Sequence, residues 1–311
     1  MVSVVEVAEN IYMIDDLLYS IPKCGSVYFL DEDKKALVDT GPTTSSEVVI
    51  EGIKQIGNKP EDVAYLIITH IHLDHGGGAG TLLKSMPKAQ VLVHNRVVKH
   101  VSKPERLVSS VIEAQGEEAM IRNGEVVPVD EYRVKSAHDG DTIMLSDRQL
   151  LTLLETPGHA SHELCIHESR NNGIFVGDAV ALHVAGTDIS VPVTPPPSFD
   201  LELYIDSLNK LMKLNASRLY FAHFGVSDKV EEKIKLAIDE LKIRDEIIVK
   251  ADRENSIDRA VEMVVEHARA ALQPIRKEMK AAYAYWAEID IPMSAREHVR
   301  YYRKNNNSMP A

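Results

Sequence analysis

Cysteine, tryptophan and basic residues are scarce in this chain of 311 residues. It has two cysteines and one tryptophan, and 35 Lys and Arg residues stand against 47 Asp and Glu residues. Cys24 and Cys165 are far apart and show none of the paired spacings of a disulfide framework or a thiolate metal site, so we expect two reduced, buried thiols. The net charge of −12 disfavours non-specific attraction to nucleic acid or to an anionic membrane.

Long apolar runs are also missing from the sequence. No stretch approaches the roughly 18 apolar residues that a membrane span requires. The N-terminus, MVSVVEVAENIYMIDD, has no basic segment before an apolar one and is typical of a strand rather than a signal peptide. We therefore predict a cytoplasmic protein without a membrane partner. The 44% of hydrophobic residues is enough for a sizeable core.

Short β-branched segments alternate with helical ones in the first two thirds of the chain. The run SEVVIEGIKQIG places Val49, Ile53 and Ile56 on one helical face, whereas VAYLIIT is apolar throughout, as in a strand buried on both faces. This alternation favours a layered α/β fold. Apolar residues then recur at helical spacing from about residue 228. The sequence thus predicts a first domain at 1–227 and a C-terminal helical extension at 228–311.

The stretch THIHLDHGGG, residues 69–78, contains four side chains that can bind metal. His70, His72, Asp74 and His75 directly follow an apolar strand, where unsatisfied polar groups are costly. Alternate residues of an extended segment face the same way, so His70 and His72 can converge on one ion while the next pair turns towards a second. Imidazole and carboxylate together suit zinc, iron or manganese. The three glycines allow a tight turn.

Three further candidates stand at the ends of apolar strands or in glycine turns. They are His159 in TPGH, Asp178 in FVGD and His223 in FAHFG. Loops at one edge of the sheet are where α/β proteins build their sites. Two metal ions need more ligands than the first cluster supplies, so the sequence predicts that these residues complete the site.

In this order the seven residues resemble the motif set of the metallo-β-lactamase-fold hydrolases, which is His-x-His-x-Asp-His followed by a His, an Asp and a His. The resemblance also takes in VDTG, which contains Asp39, and it covers roughly residues 1–225. It implies a four-layer αββα sandwich with a dinuclear metal site along one edge. It further implies that Asp39 orients a ligand imidazole.

The resemblance also implies how the ligands are shared between two divalent ions. The first ion would be held by His70, His72 and His159. The second would be held by Asp74, His75 and His223, and Asp178 would bridge the two. Zinc is the expected metal, with iron or manganese as alternatives.

A dinuclear site of this kind implies a hydrolase that uses a metal-bridging hydroxide as the nucleophile. Asp74 would orient the hydroxide or pass its proton to the leaving group. The substrate class favoured is a small ester, lactone or thioester. One alternative is a phosphodiesterase or nuclease of the same fold, against which the acidic composition argues. A further alternative is a non-haem iron redox protein, although no flavin domain follows. An exported β-lactamase usually carries Cys where Asp178 stands.

The roles of several other segments stay open on sequence alone. Four histidines are either structural or part of the substrate pocket: His94, His100, His162 and His183. The proline-rich loop at 183–198 either fixes a connection or walls that pocket. The C-terminal helices cap the pocket, form a homodimer contact, or do both. Trp286, with its tyrosine neighbours, is typical of core or interface packing.

Overall fold

A computed structural model describes residues 2–184, 187, 189–254 and 256–306. The chain divides into two compact units, each made of several stretches of sequence. The first unit comprises Met1–Glu155, His162–Gly177 and Ala216–Asp228. The second comprises Thr156–Ser161, Asp178–Asn215 and Lys229–Ala311.

The first unit contains a seven-stranded sheet whose strands follow one another in sequence order. The first four strands pair antiparallel, and β4 to β7 pair parallel. The carboxyl ends of β4 and β5 therefore lie side by side, which brings the residues after each strand together. The strands are β1 (Val4–Ala8), β2 (Ile11–Asp15), β3 (Ser26–Leu30), β4 (Lys35–Val38), β5 (Val63–Ile67), β6 (Gln90–His94) and β7 (Val134–Ala137).

A six-stranded sheet completes the β-structure of the first unit. Its strands are β8 (Thr142–Ser146), β9 (Gln149–Glu155), β10 (Leu164–Glu168), β11 (Gly173–Phe175), β14 (Arg218–Phe221) and β15 (Gly225–Ser227). Their order is β15-β14-β11-β10-β9-β8, with β11 and β14 parallel and the other pairs antiparallel. Buried residues of both sheets form one shared core, in which Tyr28 and Ile67 meet Leu153 and Phe175. The two sheets thus pack face to face.

Six helices belong to the first unit. They are α1 (Ser46–Gln55), α2 (Leu73–Gly76), α3 (Ala79–Leu82), α4 (Val98–Ser102), α5 (Glu105–Gln115) and α6 (Glu118–Asn123). Val49 and Ile53 of α1 are fully buried in a second core with Phe29 and Leu66 of the seven-stranded sheet. The helix predicted from the spacing of its apolar residues is therefore confirmed, because these residues bury one helical face against the sheet.

The second unit is mostly helical. Its elements are β12 (Leu182–His183), β13 (Ser190–Val191), α7 (Leu201–Met212), α8 (Val230–Arg253), α9 (Ala260–Leu272), α10 (Lys280–Tyr285) and α11 (Ile291–Asn306), with a π-helical turn at Trp286–Asp290. A core of its own joins three of these helices, with Ile248 of α8, Val264 of α9 and Val299 of α11 among its members. Trp286 is fully buried, which agrees with the packing interpretation.

The predicted α/β class, with two sheets and C-terminal helices, is confirmed. Asp200 caps α7, since its side chain accepts a hydrogen bond from the backbone N–H of Leu203 at 3.0 Å. Cys24 and Cys165 are buried thiols without a disulfide. The sequence analysis did not predict β7 or the small β12–β13 pair. The domain boundary at residue 227 stays a prediction. Among the described helices, none is long and apolar enough to cross a membrane.

Candidate metal centre

The segment after β5 turns into α2 within a few residues and carries the histidine cluster. His72 is the last residue before α2, and Asp74 and His75 lie in its first turn. The turn needs glycine at residue 78, because a Cβ atom there would come within 3.1 Å of the carbonyl oxygens of Thr40, Gly41 and Pro42. The backbone N–H of Gly78 donates to the Gly41 carbonyl at 2.9 Å. The cluster is thereby fixed against the loop after β4.

Asp39 ties the cluster to that loop. One carboxylate oxygen, Oδ1, accepts from the backbone N–H of Thr69 at 2.8 Å and from its hydroxyl at 2.9 Å. The other, Oδ2, lies 3.0 Å from Nδ1 of His75. The carboxylate therefore fixes Nδ1 as the protonated nitrogen of His75, and Nε2 is left as the donor atom for an ion. Asp39 contacts an imidazole of the cluster, as the motif resemblance implied.

Glu163 places a second carboxylate beside the cluster, next to His70, and sequence reasoning missed it. Its Oε2 lies 3.1 Å from Nδ1 of His70, and both side chains are fully buried. The opposite nitrogen of His70, Nε2, lies 2.8 Å from Nδ1 of His72. Two ring nitrogens that face each other this closely suit a shared positive ion, whose bonds to imidazole are about 2.0–2.1 Å. In the sequence, Glu163 is marked only as an acidic residue directly before an apolar segment, which became β10.

Gly177 makes room for Glu163. A Cβ atom on this residue would lie 2.4 Å from Oε1 of Glu163 and 2.8 Å from the Thr69 side chain. Its φ of +48° is also in the left-handed region that favours glycine. The backbone N–H of Leu164 donates to the Thr69 carbonyl at 2.8 Å, which holds the start of β10 beside the histidine cluster.

Asp74, His75 and His223 form a second group of ligand atoms in the first unit. Oδ2 of Asp74 lies 3.7 Å from Nε2 of His75 and 3.9 Å from Nε2 of His223. One ligand atom from each residue lies within 4.8 Å of the others. Nδ1 of His223 faces the backbone carbonyl of Cys24 at 3.2 Å, which again directs Nε2 to the group. Asp74 is the most exposed of the three, with 20% of its side chain accessible.

The second unit supplies a pair of its own. Nε2 of His159 lies 3.4 Å from Oδ2 of Asp178, and both residues are buried. Nδ1 of His159 faces the backbone carbonyl of Val193 at 2.9 Å. Tyr204 of α7 donates its hydroxyl hydrogen to the Asp178 carbonyl at 2.6 Å. Gly158 has a φ of +144°, and a Cβ atom there would lie 2.2 Å from Cα of Tyr204. The start of α7 thus supports both ligand candidates.

The sequence matches the model of the metallo-β-lactamase superfamily over residues 23–223. The chain belongs to this superfamily. It is 30% identical over 190 residues to a metallo-β-lactamase fold-containing protein of Sulfurisphaera tokodaii, covering 59% of this chain and 70% of that one. A β-lactamase-like protein 2 homolog of Caenorhabditis elegans is 27% identical, over 71% of this chain and 63% of the relative. The chain therefore spans less than two thirds of that second relative.

Solved structures share the superfamily fold. A metallo-β-lactamase family protein from Thermus thermophilus aligns with a TM-score of 0.67 at 18% identity, over 97% of this chain and 95% of its own. The Sulfurisphaera tokodaii protein aligns with a TM-score of 0.64 at 24% identity, over 75% and 86%. These likenesses show the fold.

Two superfamily relatives carry names that describe an activity. An acyl-coenzyme A thioesterase of Homo sapiens is 25% identical, over 55% of this chain and 64% of the relative. An N-acyl homoserine lactonase of a Bacillus species is 23% identical, over 62% and 67%. The prediction of an enzyme of this superfamily, whose relatives include hydrolases, is confirmed.

The superfamily's divalent ions fit the chemistry of the residues present. Imidazole nitrogens and carboxylate oxygens are ligands for zinc, iron and manganese. Three of the five histidines in the motif direct Nε2 away from a carboxylate or carbonyl at Nδ1 within their own unit, as metal-binding histidines do; these are His75, His223 and His159. At His70 the Nδ1 atom lies 3.2 Å from the Thr69 hydroxyl and 3.1 Å from the Glu163 carboxylate. The motif places five ligand candidates in the first unit and two in the second, and their joint action stays a prediction.

Three of the histidines whose roles the sequence left open lie in the first unit: His94, His100 and His162. The ring of His162 lies 6.1 Å from that of His72 and 6.4 Å from that of His70, and burial lowers its pKa to about 3. It is thus a neutral neighbour of the cluster. His94 is also buried, and its Nε2 lies 3.2 Å from Glu155. His100 lines a small apolar cavity with Ile71 and Val129 and does not belong to the cluster.

His183 lies on β12 in the second unit. It is buried, and burial, together with the charge of Lys233, lowers its pKa to about 4. The imidazole is therefore neutral at pH 7. The structure gives it no place among the ligand groups of the described residues.

Proposed function

We propose that this protein is a metal-dependent hydrolase that cleaves a small ester, lactone or thioester with two divalent ions. The observation that carries the proposal is the orientation of the imidazoles in the cluster. Asp39 and Glu163 face Nδ1 of His75 and His70, so that the opposite nitrogens are presented as metal donors. We propose that the ions would be held by His70, His72, Asp74, His75, His159, Asp178 and His223.

When bound, such ions supply an activated water at neutral pH and an electrophile for the substrate oxygen. The chain itself contributes the positions of these groups. Asp39 and the Cys24 carbonyl hold two imidazole rings in place through Nδ1, and the Glu163 carboxylate lies against a third, that of His70. Because these partners are fixed before any substrate arrives, little reorganisation is needed during the reaction.

We propose Asp74 as the residue that moves a proton. Its carboxylate is the most exposed of the group that includes His75 and His223, so one oxygen can face the substrate. In that position it would orient the attacking water and carry its proton to the leaving group. Asp74→Asn should then reduce kcat far more than it reduces metal content.

The proposed substrate class rests on chemistry and on two relatives. The human relative is named as an acyl-coenzyme A thioesterase and the Bacillus relative as a lactonase, and both names describe attack on a carboxyl carbon. The net charge of −12 disfavours a polyanionic nucleic acid. We further propose zinc as the metal, a cytoplasmic location and a homodimer formed through the C-terminal helices. Light scattering on the purified chain tests the last of these.

A panel of rates tests the function directly. The protein is reconstituted with zinc, manganese or iron and offered a lactone, a thioester, an aryl ester and an aryl phosphodiester. His72→Ala serves as the blank, and His138→Ala, which changes a histidine outside the cluster, serves as the matched control. We expect carboxyl substrates to react with the wild type and the control but not with the blank.

Two results would contradict the proposal. Turnover of the phosphodiester alone would replace the carboxyl substrate with a nucleotide or nucleic acid. Full activity of His72→Ala would show that the cluster is not the centre of the reaction.

A further inference from the structure

Helices α8 and α11 form hydrogen bonds with the loop that follows β13, at the two residues Pro192 and Thr194. Arg244 of α8 donates from Nη1 to the Pro192 carbonyl at 2.7 Å. Ser294 of α11 accepts from the backbone N–H of Thr194 at 3.1 Å, and its carbonyl accepts from the Thr194 hydroxyl at 2.8 Å. Thr194 is fully buried. Val193 lies between Pro192 and Thr194, so these hydrogen bonds fix its position from both sides.

Val193 presents its carbonyl to His159. The distance from this oxygen to Nδ1 of His159 is 2.9 Å, and the histidine is 1% exposed. A carbonyl can only accept, so Nδ1 carries a proton, and Nε2 is the nitrogen that remains for an ion. Nε2 is the atom that lies 3.4 Å from Asp178. The position of one backbone carbonyl thus decides which nitrogen of His159 can bind an ion.

The burial of the Arg244 guanidinium group costs free energy. Arg244 is 1% exposed, and in the described part of the chain it has no ion pair within 4.0 Å. Its Nε and Nη2 have no hydrogen-bond partner among the described residues. The charge of Glu240, one turn earlier in α8, offsets part of this cost, but an apolar side chain of similar volume would avoid it. The hydrogen bond that Arg244 makes is the one to the Pro192 carbonyl.

We infer that Arg244 and Ser294 are positioning residues for the metal ligand His159. They hold residues 192–194 so that the Val193 carbonyl stays in line with Nδ1, and the C-terminal helices thereby shape the metal site. The inference rests on the proposed function, because it takes His159 as a ligand. It predicts that a substitution in α8 or α11, which contribute no ligand, weakens one ion selectively.

Metal binding by the full-length chain tests the inference. Arg244→Met removes the donor and keeps the volume, and Ser294→Ala removes one acceptor without changing a charge. Arg300→Met is the matched control, because Arg300 also donates to a carbonyl of this loop, that of Pro197 at 3.0 Å, but has 54% of its side chain exposed. Zinc content after dialysis and chelator competition give the number of ions and their affinities.

We expect two ions in the wild type and in Arg300→Met. Arg244→Met should weaken one ion by about 10–100-fold, which is the usual effect of losing support for a ligand, and leave the other unchanged. Its melting temperature should stay the same or rise. Ser294→Ala should weaken the same ion by a smaller factor, and Arg244→Lys should restore part of the loss. Unchanged affinities in Arg244→Met and Ser294→Ala would overturn the inference, and so would equal weakening of both ions.

The metal-free protein separates this inference from the proposed function. Nitrogen-15 NMR of the histidine side chains reports which ring nitrogen of His159 carries the proton. We expect a protonated Nδ1 in the wild type and in Arg300→Met, and a mixed population in Arg244→Met. If that shift occurs while the wild type binds no metal, the positioning is right and the proposed function is wrong. If the wild type binds two ions and Arg244→Met leaves His159 unchanged, the positioning is wrong.

Discussion

The two compact units support their histidines with different chemical groups. In the first unit, Asp39 and Glu163 place carboxylates against Nδ1 of His75 and His70. In the second unit, His159 faces the backbone carbonyl of Val193. His223 is the exception in the first unit, since it faces the Cys24 carbonyl. A carboxylate raises the basicity of an imidazole more than a neutral carbonyl does, because it carries a full negative charge.

The difference also decides which residues maintain the geometry. A carboxylate support belongs to one side chain, which a single substitution removes. A carbonyl support belongs to the backbone, so its position depends on whatever holds that segment, here Arg244 and Ser294. We therefore expect the orientation of the histidines in the first unit to depend on side chains beside the cluster. The orientation of His159 in the second unit should depend on the helices α8 and α11.

Removing a ligand should have the largest effect on activity. The loss should be equally large for a ligand of either unit. We expect His75→Ala and His159→Ala each to lower kcat/KM by about 1,000-fold or more, because each takes a donor from the ions that activate water. Steady-state kinetics with the best substrate of the rate panel measures this. If one of the two variants kept a tenth of the activity or more, that unit would be dispensable for the reaction.

Changing the carboxylate support should have the next largest effect. Asp39→Asn keeps the shape and tolerates the φ of +61° at this position, but it loses the charge that faces His75. We expect a loss of about 10–100-fold in metal affinity. Chelator competition measures it, and Glu163→Gln provides the parallel case for His70. Wild-type affinity in both variants would mean that carboxylate and carbonyl supports are equivalent.

Thr69→Val tests a smaller part of the carboxylate support. The Thr69 hydroxyl donates to Asp39, whereas the backbone N–H of the same residue keeps its own bond to that carboxylate. The loss of one buried hydrogen bond should lower the free energy of unfolding by about 1 kcal/mol and kcat/KM by a few fold. Urea denaturation and steady-state kinetics measure the two effects. A loss as large as that of Asp39→Asn would show that the hydroxyl, not the charge, positions the site.

The last effect concerns stability in acid rather than activity and belongs to the second unit. Burial, and then the charge of Lys233, lowers the pKa of His183 to about 4. The unfolded state binds this proton from about pH 6.5 downward, whereas the folded state does so only near pH 4. The free energy of unfolding is therefore undiminished above pH 6.5 and falls as the pH drops towards 4, by at most about 1.4 kcal/mol per pH unit from this group.

His183→Gln should remove this part of the acid sensitivity. Urea denaturation of the metal-free protein at pH 7.5, 5.5 and 4.5 gives the comparison, and His138→Gln, at an exposed position, is the control. An identical loss of stability in wild type and His183→Gln would show that His183 does not remain neutral in the folded state.

The ligand candidates could be predicted from sequence because four of them stand within six residues after an apolar strand. Asp39 was predicted only through the motif resemblance, and the structure places it after the neighbouring parallel strand. Glu163 was not, because it meets His70 only after β10 joins the segment at Thr69. The support of His159 was harder still, since a backbone carbonyl leaves no trace in the sequence. Likewise β7 was missed because VKSA alternates too briefly to signal a strand.

The parallel pairing of β11 with β14 has a consequence for synthesis on the ribosome. Gly173–Phe175 is buried along its whole length between β10 and β14, yet β14 begins only at Arg218. In a nascent chain from which β11 has emerged but β14 has not, this apolar strand therefore has an unpaired edge, the kind of edge on which chains aggregate. Some 40 residues must be translated before the chain can cover this edge itself, so chaperone binding is most needed in that interval.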